Sequence, residues 1–390
     1  MRRGIRTFIL VVISAGVFAS SANADWRQFR HGAARAGATA ATQITASNAP
    51  MLVRGWTRPS GNESNMNSSP AVADNHIFVA GAGLGYGIIT SFTNSGQTAW
   101  VGYLPFGTDS SPAVVGGRVF VDSCDNVNAF NEKTGARLWQ KTFPVQDVIG
   151  CSDQASPAVV GGVVYVASDA DGKVHALSAA TGAAVWSSAN LDVRSSTAVA
   201  GGYVLVGSNN HRLYAFPQSC TTPCRPAWSR DLGDVVEATP AVVNGLVYTH
   251  SWSSPLYALN LTTGATMWTS TASGGGWSSP AVAGGVVYST AWSPAPGLYA
   301  YDAATGHLLW STGSADGSPA VGNDVVVTTC RYAICIHATS NGALLRRFRP
   351  AGQRVFSSAG IGDRALYASR QDELLYRFVL PGSVTTLARR

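Results

Sequence analysis

Residues 239–268 read TPAVVNGLVYTHSWSSPLYALNLTTGATMW. Short runs rich in Val, Leu, Tyr and Thr are separated by Asn-Gly, by a Ser-rich stretch and by Thr-Gly, the pattern of strands joined by tight turns. The same phrase is written eight times along the chain. Its marker, Ser-Ser-Pro-Ala-Val or a degraded copy, has its third residue at Pro70, Pro112, Pro157, Thr197, Pro240, Pro280, Pro319 and Ala359, at intervals of 39 to 45 residues. A closing aromatic falls at Trp100, Trp139, Trp186, Trp228, Trp268, Trp310 and Phe348.

Four strands in a period near 40 residues make one propeller blade, because a small twisted sheet buries both faces only between two neighbours. The sequence therefore predicts an all-β, eight-bladed β-propeller of four-stranded antiparallel blades. The eighth copy supplies only three strands, in SSAGIG, ALYAS and LLYRFVL. The missing fourth is MLVRGW, ending at Trp56, so a strand over residues 52–57 is expected to complete the last blade and lock the ring. The expected organisation is a signal peptide at 1–24, an N-terminal extension at 25–50, one propeller at 51–382 and a tail at 383–390.

The N-terminus carries Arg2, Arg3 and Arg6, an apolar run from Phe8 to Phe18, and Ala22-Asn23-Ala24 before Asp25. This is the layout of a secretory signal with an Ala-x-Ala cleavage site, and its apolar core is shorter than a ~20-residue membrane span. No cysteine follows the apolar run, so no lipid anchor is expected. The expected location is secreted, periplasmic or extracellular. Loss of the three signal arginines lowers the formal net charge from +6 to +3. The remaining arginines are scattered, which implies neither a nucleic-acid nor an anionic-membrane partner; no nucleic acid and no membrane anchor are expected. A monomer is expected.

Six cysteines suit an oxidising compartment. Cys330 and Cys335 bracket a hairpin of blade seven, Cys220 and Cys224 flank a turn of blade four in CTTPC, and Cys124 and Cys151 fall in loops of neighbouring blades on one face. Three disulfides are expected. The spacing of Cys220 and Cys224 also suits a metal, but no second pair or nearby histidine completes four ligands, and no metal site is assigned.

The segments ALSAATGAAVW (176–186), ALNLTTGATMW (258–268) and AYDAATGHLLW (300–310) resemble the tryptophan-docking repeat of the pyrroloquinoline quinone (PQQ) propellers. That group includes quinoprotein dehydrogenases and non-enzymatic eight-bladed relatives. The opening DWRQFRHGAARAG (25–37), followed by ITASNAPMLVRGW (44–56), is similar to the start of secreted members, some of them polyvinyl-alcohol dehydrogenase-like. The resemblance covers nearly the whole mature chain and speaks to fold, since chemistry on such scaffolds lives in loops. Two marks of the enzymes are missing, an adjacent Cys-Cys pair and a Cys-x-x-Cys-His haem site. The lipid-anchoring cysteine of the outer-membrane assembly relatives is missing as well.

Propellers keep their sites at the mouth of the central channel. Three residues before each marker position stand Asn67, Asp109, Gln154, Arg194, Glu237, Trp277, Asp316 and Phe356. The hairpins between second and third strands add Asp169, Asp171, Asn210, His211, Trp252, Trp292, Arg331, Tyr332 and Arg370. These positions vary while the repeats around them are nearly uniform. They suit a polar, planar ligand stacked on Trp277, Trp252 or Trp292 and paired with Arg194 or Arg331, with Gln154 also in the ring. If the resemblance extends to PQQ with calcium, Glu237 or Asn67 would be an oxygen ligand, and Asp109 or Asp316 a general base for alcohol oxidation. The bland reading is that such loops are polar because they face solvent, with Asp169 and Asp171 shaping a turn and His211 solvated.

Three functions follow. The first is a non-enzymatic binding or protein-interaction scaffold for envelope or extracellular proteins. The second is a PQQ-dependent alcohol or polyol dehydrogenase, or a degenerate cofactor binder. The third is a glycan or polyol binder.

Overall fold

The computed structural model of the protein describes residues 25–60, 68–83, 85–145, 155–273, 275–313 and 315–382. Eight antiparallel blades of four strands each, one of them extended by a short parallel fifth strand, stand in sequence order around one axis. Blade three is representative: Ala158–Val160 lies innermost, followed outward by Val163–Ser168, Lys173–Ser178 and Ala184–Ser187. Among the described residues the single helical element is a 3-10 turn, Ala49–Met51. In the last blade, Val53–Pro59 pairs with Leu374–Val379, which closes the ring as the sequence predicts.

Two repeated contacts explain why the phrase is written as it is. In seven of the eight blades the closing tryptophan donates its indole N–H to a carbonyl of the next blade. The seven bonds run from Trp56 to Asn94, Trp100 to Glu132, Trp139 to Ala179, Trp186 to Gln218, Trp228 to Leu261, Trp268 to Ala303 and Trp310 to Thr339. Phe348 has no such donor and stacks on Phe378 at 4.3 Å instead. At the junction to blade four the turn glycine is replaced by the Cys220–Cys224 disulfide, and Trp186 packs with Cys224 in one buried cluster.

The marker serines serve the second contact. The amide of Ser69 donates to the Ser111 hydroxyl, Ser111 to Ser156 and Ser156 to Ser196, and further round Thr239 donates to Ser279 and Ser279 to Ser318. A small hydroxyl residue two positions before the inner strand thus ties blades one to four, and five to seven, in series around the axis.

Eight inner strands meet at a propeller axis with one edge each unpaired, and those backbone groups need partners. The extension supplies them. Trp26 exchanges both backbone hydrogen bonds with Val72 of blade one, and the Arg27 carbonyl accepts from Val114 of blade two. The Gln28 side chain bonds both backbone groups of Val159 in blade three. Carbonyls of Ala33, Ala34, Ala36 and Gly37 accept from Val199, Val242, Val282 and Val321 of blades four to seven. Ala38–Thr39 pairs in parallel with the blade-seven inner strand, and Gln43 donates to Asp363 of blade eight. Residues 26–43 therefore thread the channel and touch every blade.

Two arginines complete this plug. Arg30 donates to the carbonyls of Pro319 and Pro280, and Arg35 to those of Thr197, Ser156 and Phe29. Both are almost fully buried. Burial without a carboxylate partner pushes both guanidinium groups down to about 9, so they stay charged at neutral pH and rest on converging carbonyl dipoles. Gly37 has to be glycine: its φ is +67°, and a Cβ there would lie 2.5 Å from Arg30 Nη2.

The expected disulfides Cys220–Cys224 and Cys330–Cys335 are present. Cys124 is also disulfide-bonded, while its expected partner Cys151 lies outside the described residues. The signal segment and the tail lie outside them too. No helix among the described residues is long and apolar enough to cross a membrane.

Candidate functional site

The plug turns the channel into a cup with a floor. Above Phe29 a cavity of about 70 Å³ is lined by Arg194, Glu237, Trp277 and the small hydroxyl residues Ser195, Ser196, Thr239 and Ser279. Arg194 leads into the blade-four inner strand, Glu237 into that of blade five and Trp277 into that of blade six. Three of the residues picked by their offset from the marker thus converge on one side of the mouth.

The hairpin residues extend this side into a crescent. Arg194 lies between two carboxylates, with Nη1 3.7 Å from Asp169 Oδ2 and Nε 3.5 Å from Glu237 Oε1. Trp252 Nε1 donates to Glu237 Oε2 at 2.6 Å. The Trp252 ring meets Trp277 edge-on at 4.8 Å and Trp292 edge-on at 6.0 Å. Trp277 and Trp292 remain 57% and 42% exposed, large for indoles held in fixed contacts. Burial pushes the Asp169 carboxyl up to about 6; Arg194 opposes the rise, while Asp192 and Glu237 add to it.

Other expected residues stand apart from this cavity or lie outside the described residues. Asp316 and Arg331 form their own pair in blade seven, where Asp316 accepts from the Thr329 hydroxyl at 2.7 Å and the Arg331 amide at 3.1 Å. Asp109 is half-buried at the start of blade two. Asn67 and Gln154 lie outside the described residues. Arg370 is structural, not a mouth residue: it is 2% exposed, bonds Asp372, Tyr376 and the carbonyls of Ala351 and Gly352, and lies over the Phe356 ring. Asp171 is buried and holds His175 and Lys173, whereas Asp169 reaches across to Arg194. Phe29 had no signal in the sequence beyond the aromatic character of DWRQF.

Among the described residues the mouth shows no site that fits PQQ and calcium. A cavity of about 70 Å³ is far below the ~300 Å³ at which small-molecule pockets begin. Arg194 lies between two carboxylates, so the crescent carries excess negative charge where a tricarboxylate would need positive. Among the described residues no group of three or more His, Cys, Asp or Glu could hold a metal ion.

Fold and repeat define an eight-bladed β-propeller of the PQQ-like type. The chain belongs to the family described as outer membrane protein assembly factor BamB, whose sequence profile matches residues 26–270 and 225–359. It is 29% identical over 236 residues to the outer membrane protein assembly factor BamB of Moranella endobia (strain PCIT), covering 53% of this chain and 58% of that protein. It is 28% identical over 233 residues to the tetrathionate hydrolase of Acidithiobacillus ferrooxidans, covering 57% of this chain and 42% of the hydrolase. The matched region thus spans about half the length of these relatives. Among solved structures, BamB from Moraxella catarrhalis superposes with a TM-score of 0.66 at 19% identity, over 85% of this chain and 98% of that one. The quinohemoprotein alcohol dehydrogenase from Comamonas testosteroni superposes at 0.73 with 14% identity, over 92% and 81%. At these identities the structural likeness speaks to fold.

Proposed function

We propose that the protein is a non-enzymatic scaffold of the cell envelope, secreted across the inner membrane, that holds another protein against the rim of the propeller. The observation that carries this reading is the outer strand of blade one, Thr98–Leu104. Among the described residues its outward edge has no neighbouring strand, and it exposes Val101 and Tyr103 at 43% and 62%, with Phe106 just beyond at 44%. Arg137 of blade two ties the two blades by donating to the Tyr103 carbonyl. An open strand edge flanked by exposed apolar side chains is what strand addition by a partner uses. Family membership supports the same reading, since the assembly factors that the chain resembles carry a protein-assembly role in their name.

A scaffold has no use for the redox cofactor of the dehydrogenases. The purified mature chain, titrated with PQQ and calcium and then given an alcohol panel with an artificial electron acceptor, is expected to give neither heat nor turnover. Saturable one-to-one cofactor binding accompanied by alcohol oxidation would replace the scaffold reading with the enzymatic one.

A further inference from the structure

The mouth crescent is unused by a partner docked at the rim, yet it is built with more order than a solvated loop cluster needs. We propose that Trp277, Trp292 and the Asp169–Arg194–Glu237 row form a saccharide-binding site that takes a hexose unit of a hydroxyl-rich glycan chain. Three observations carry it.

The first is the pair of exposed indoles. Leaving Trp277 and Trp292 more than 40% exposed forgoes the burial that tryptophan ordinarily gains, and both are held edge-on against Trp252, which the Glu237 carboxylate fixes. Rigid aromatic faces stack on the C–H face of a sugar ring with little ordering cost.

The second is the alternation of acceptor, donor and acceptor along Asp169, Arg194 and Glu237. Separations of 3.7 and 3.5 Å are ion-pair contacts, so Arg194 holds the two carboxylates in place beside the tryptophans. The carboxylate oxygens held in this row retain acceptor lone pairs that vicinal hydroxyls can donate to.

The third is shape. The cavity beneath is small and lined by Phe29, serine and threonine, so it admits a hydroxyl or hydroxymethyl substituent while the sugar ring itself lies over the open tryptophans. Two carboxylates against one arginine disfavour an anionic ligand and admit a neutral or amino-bearing sugar.

The test is a titration of the intact mature chain with tetrasaccharides of glucose, mannose, galactose and N-acetylglucosamine, read by tryptophan fluorescence and calorimetry. One or more is expected to saturate the signal, with Trp277→Ala and Glu237→Gln each weakening binding at least about tenfold. Met267→Ala, an exposed change on the blade-five outer strand, should leave it unchanged. Trp292→Ala serves as the second probe if Trp277→Ala perturbs folding. The proposal fails if no tetrasaccharide saturates the signal, if saturation survives both tryptophan variants, or if a peptide bearing Trp and Arg saturates the site while the sugars do not. Failure here leaves the rim-docking reading standing, because the two sites share no residue.

Discussion

The indole of Trp228 lies flat over Gly264 of the next blade. Its Nε1 donates to the Leu261 carbonyl at 2.9 Å, and a Cβ on Gly264 would stand 2.6 Å from the ring. The glycine also has φ +68°, so two independent constraints exclude a side chain. Gly264→Ala is therefore expected to lower stability by about 1–3 kcal/mol, measured by urea denaturation. Gly245→Ala, at φ +76° with open space around its Cβ position, carries the backbone strain alone and should cost less.

The plug makes a sharper prediction. Arg35→Ala removes donors from three carbonyls, those of Thr197, Ser156 and Phe29, and leaves a void on the axis. A loss of about 2–4 kcal/mol is expected, below the sum of three bonds because the variant no longer buries an unpaired charge. Hydrogen exchange should quicken at the inner-strand amides of Val199, Val242, Val282 and Val321, which donate to the plug. Unchanged exchange at these four amides would mean that the segment only lines the channel.

On the face opposite the mouth, Arg27 forks onto Asp74 at 2.7 and 3.1 Å and also pairs with Asp25. Beside them burial, followed by Asp74, pushes the Glu132 carboxyl up to about 7. A carboxyl with a raised folded pKa favours folding at low pH, and that contribution is lost as pH rises from about 4.5 through 7. Glu132→Gln cannot ionise. The difference in melting temperature, variant minus wild type, should therefore rise between pH 5 and pH 8. Comparing the pair separates this carboxyl from the buried histidines His250 and His337, which burial pushes down and which act in the opposite sense. A flat difference would remove Glu132 as the titrating group.

Fold and closure were legible because both are written in repeats: the Trp-to-turn contact and the serine ring recur, so eight imperfect copies average out local noise. Part of the mouth was legible for the same reason. Arg194, Glu237 and Trp277 share an offset from the marker, and a fixed offset on a repeated scaffold is a fixed place in space. The plug was not legible, since DWRQFRHGAARAG has no strand period and its partners run from Val72 to Asp363. Its small residues with two arginines become meaningful only beside a narrow channel lined by carbonyls. Arg370 misled for the converse reason: variation at a loop position marked a side chain that fills its own blade.

The scaffold reading stands or falls at the blade-one rim. A photo-activatable phenylalanine analogue in place of Tyr103, expressed in the producing cell, should yield on irradiation a covalent adduct with a defined envelope protein. The purified pair should bind, and Tyr103→Glu should weaken that binding at least about tenfold. An irradiated Tyr103 probe that yields no adduct, or a partner whose affinity Tyr103→Glu leaves unchanged, would contradict it.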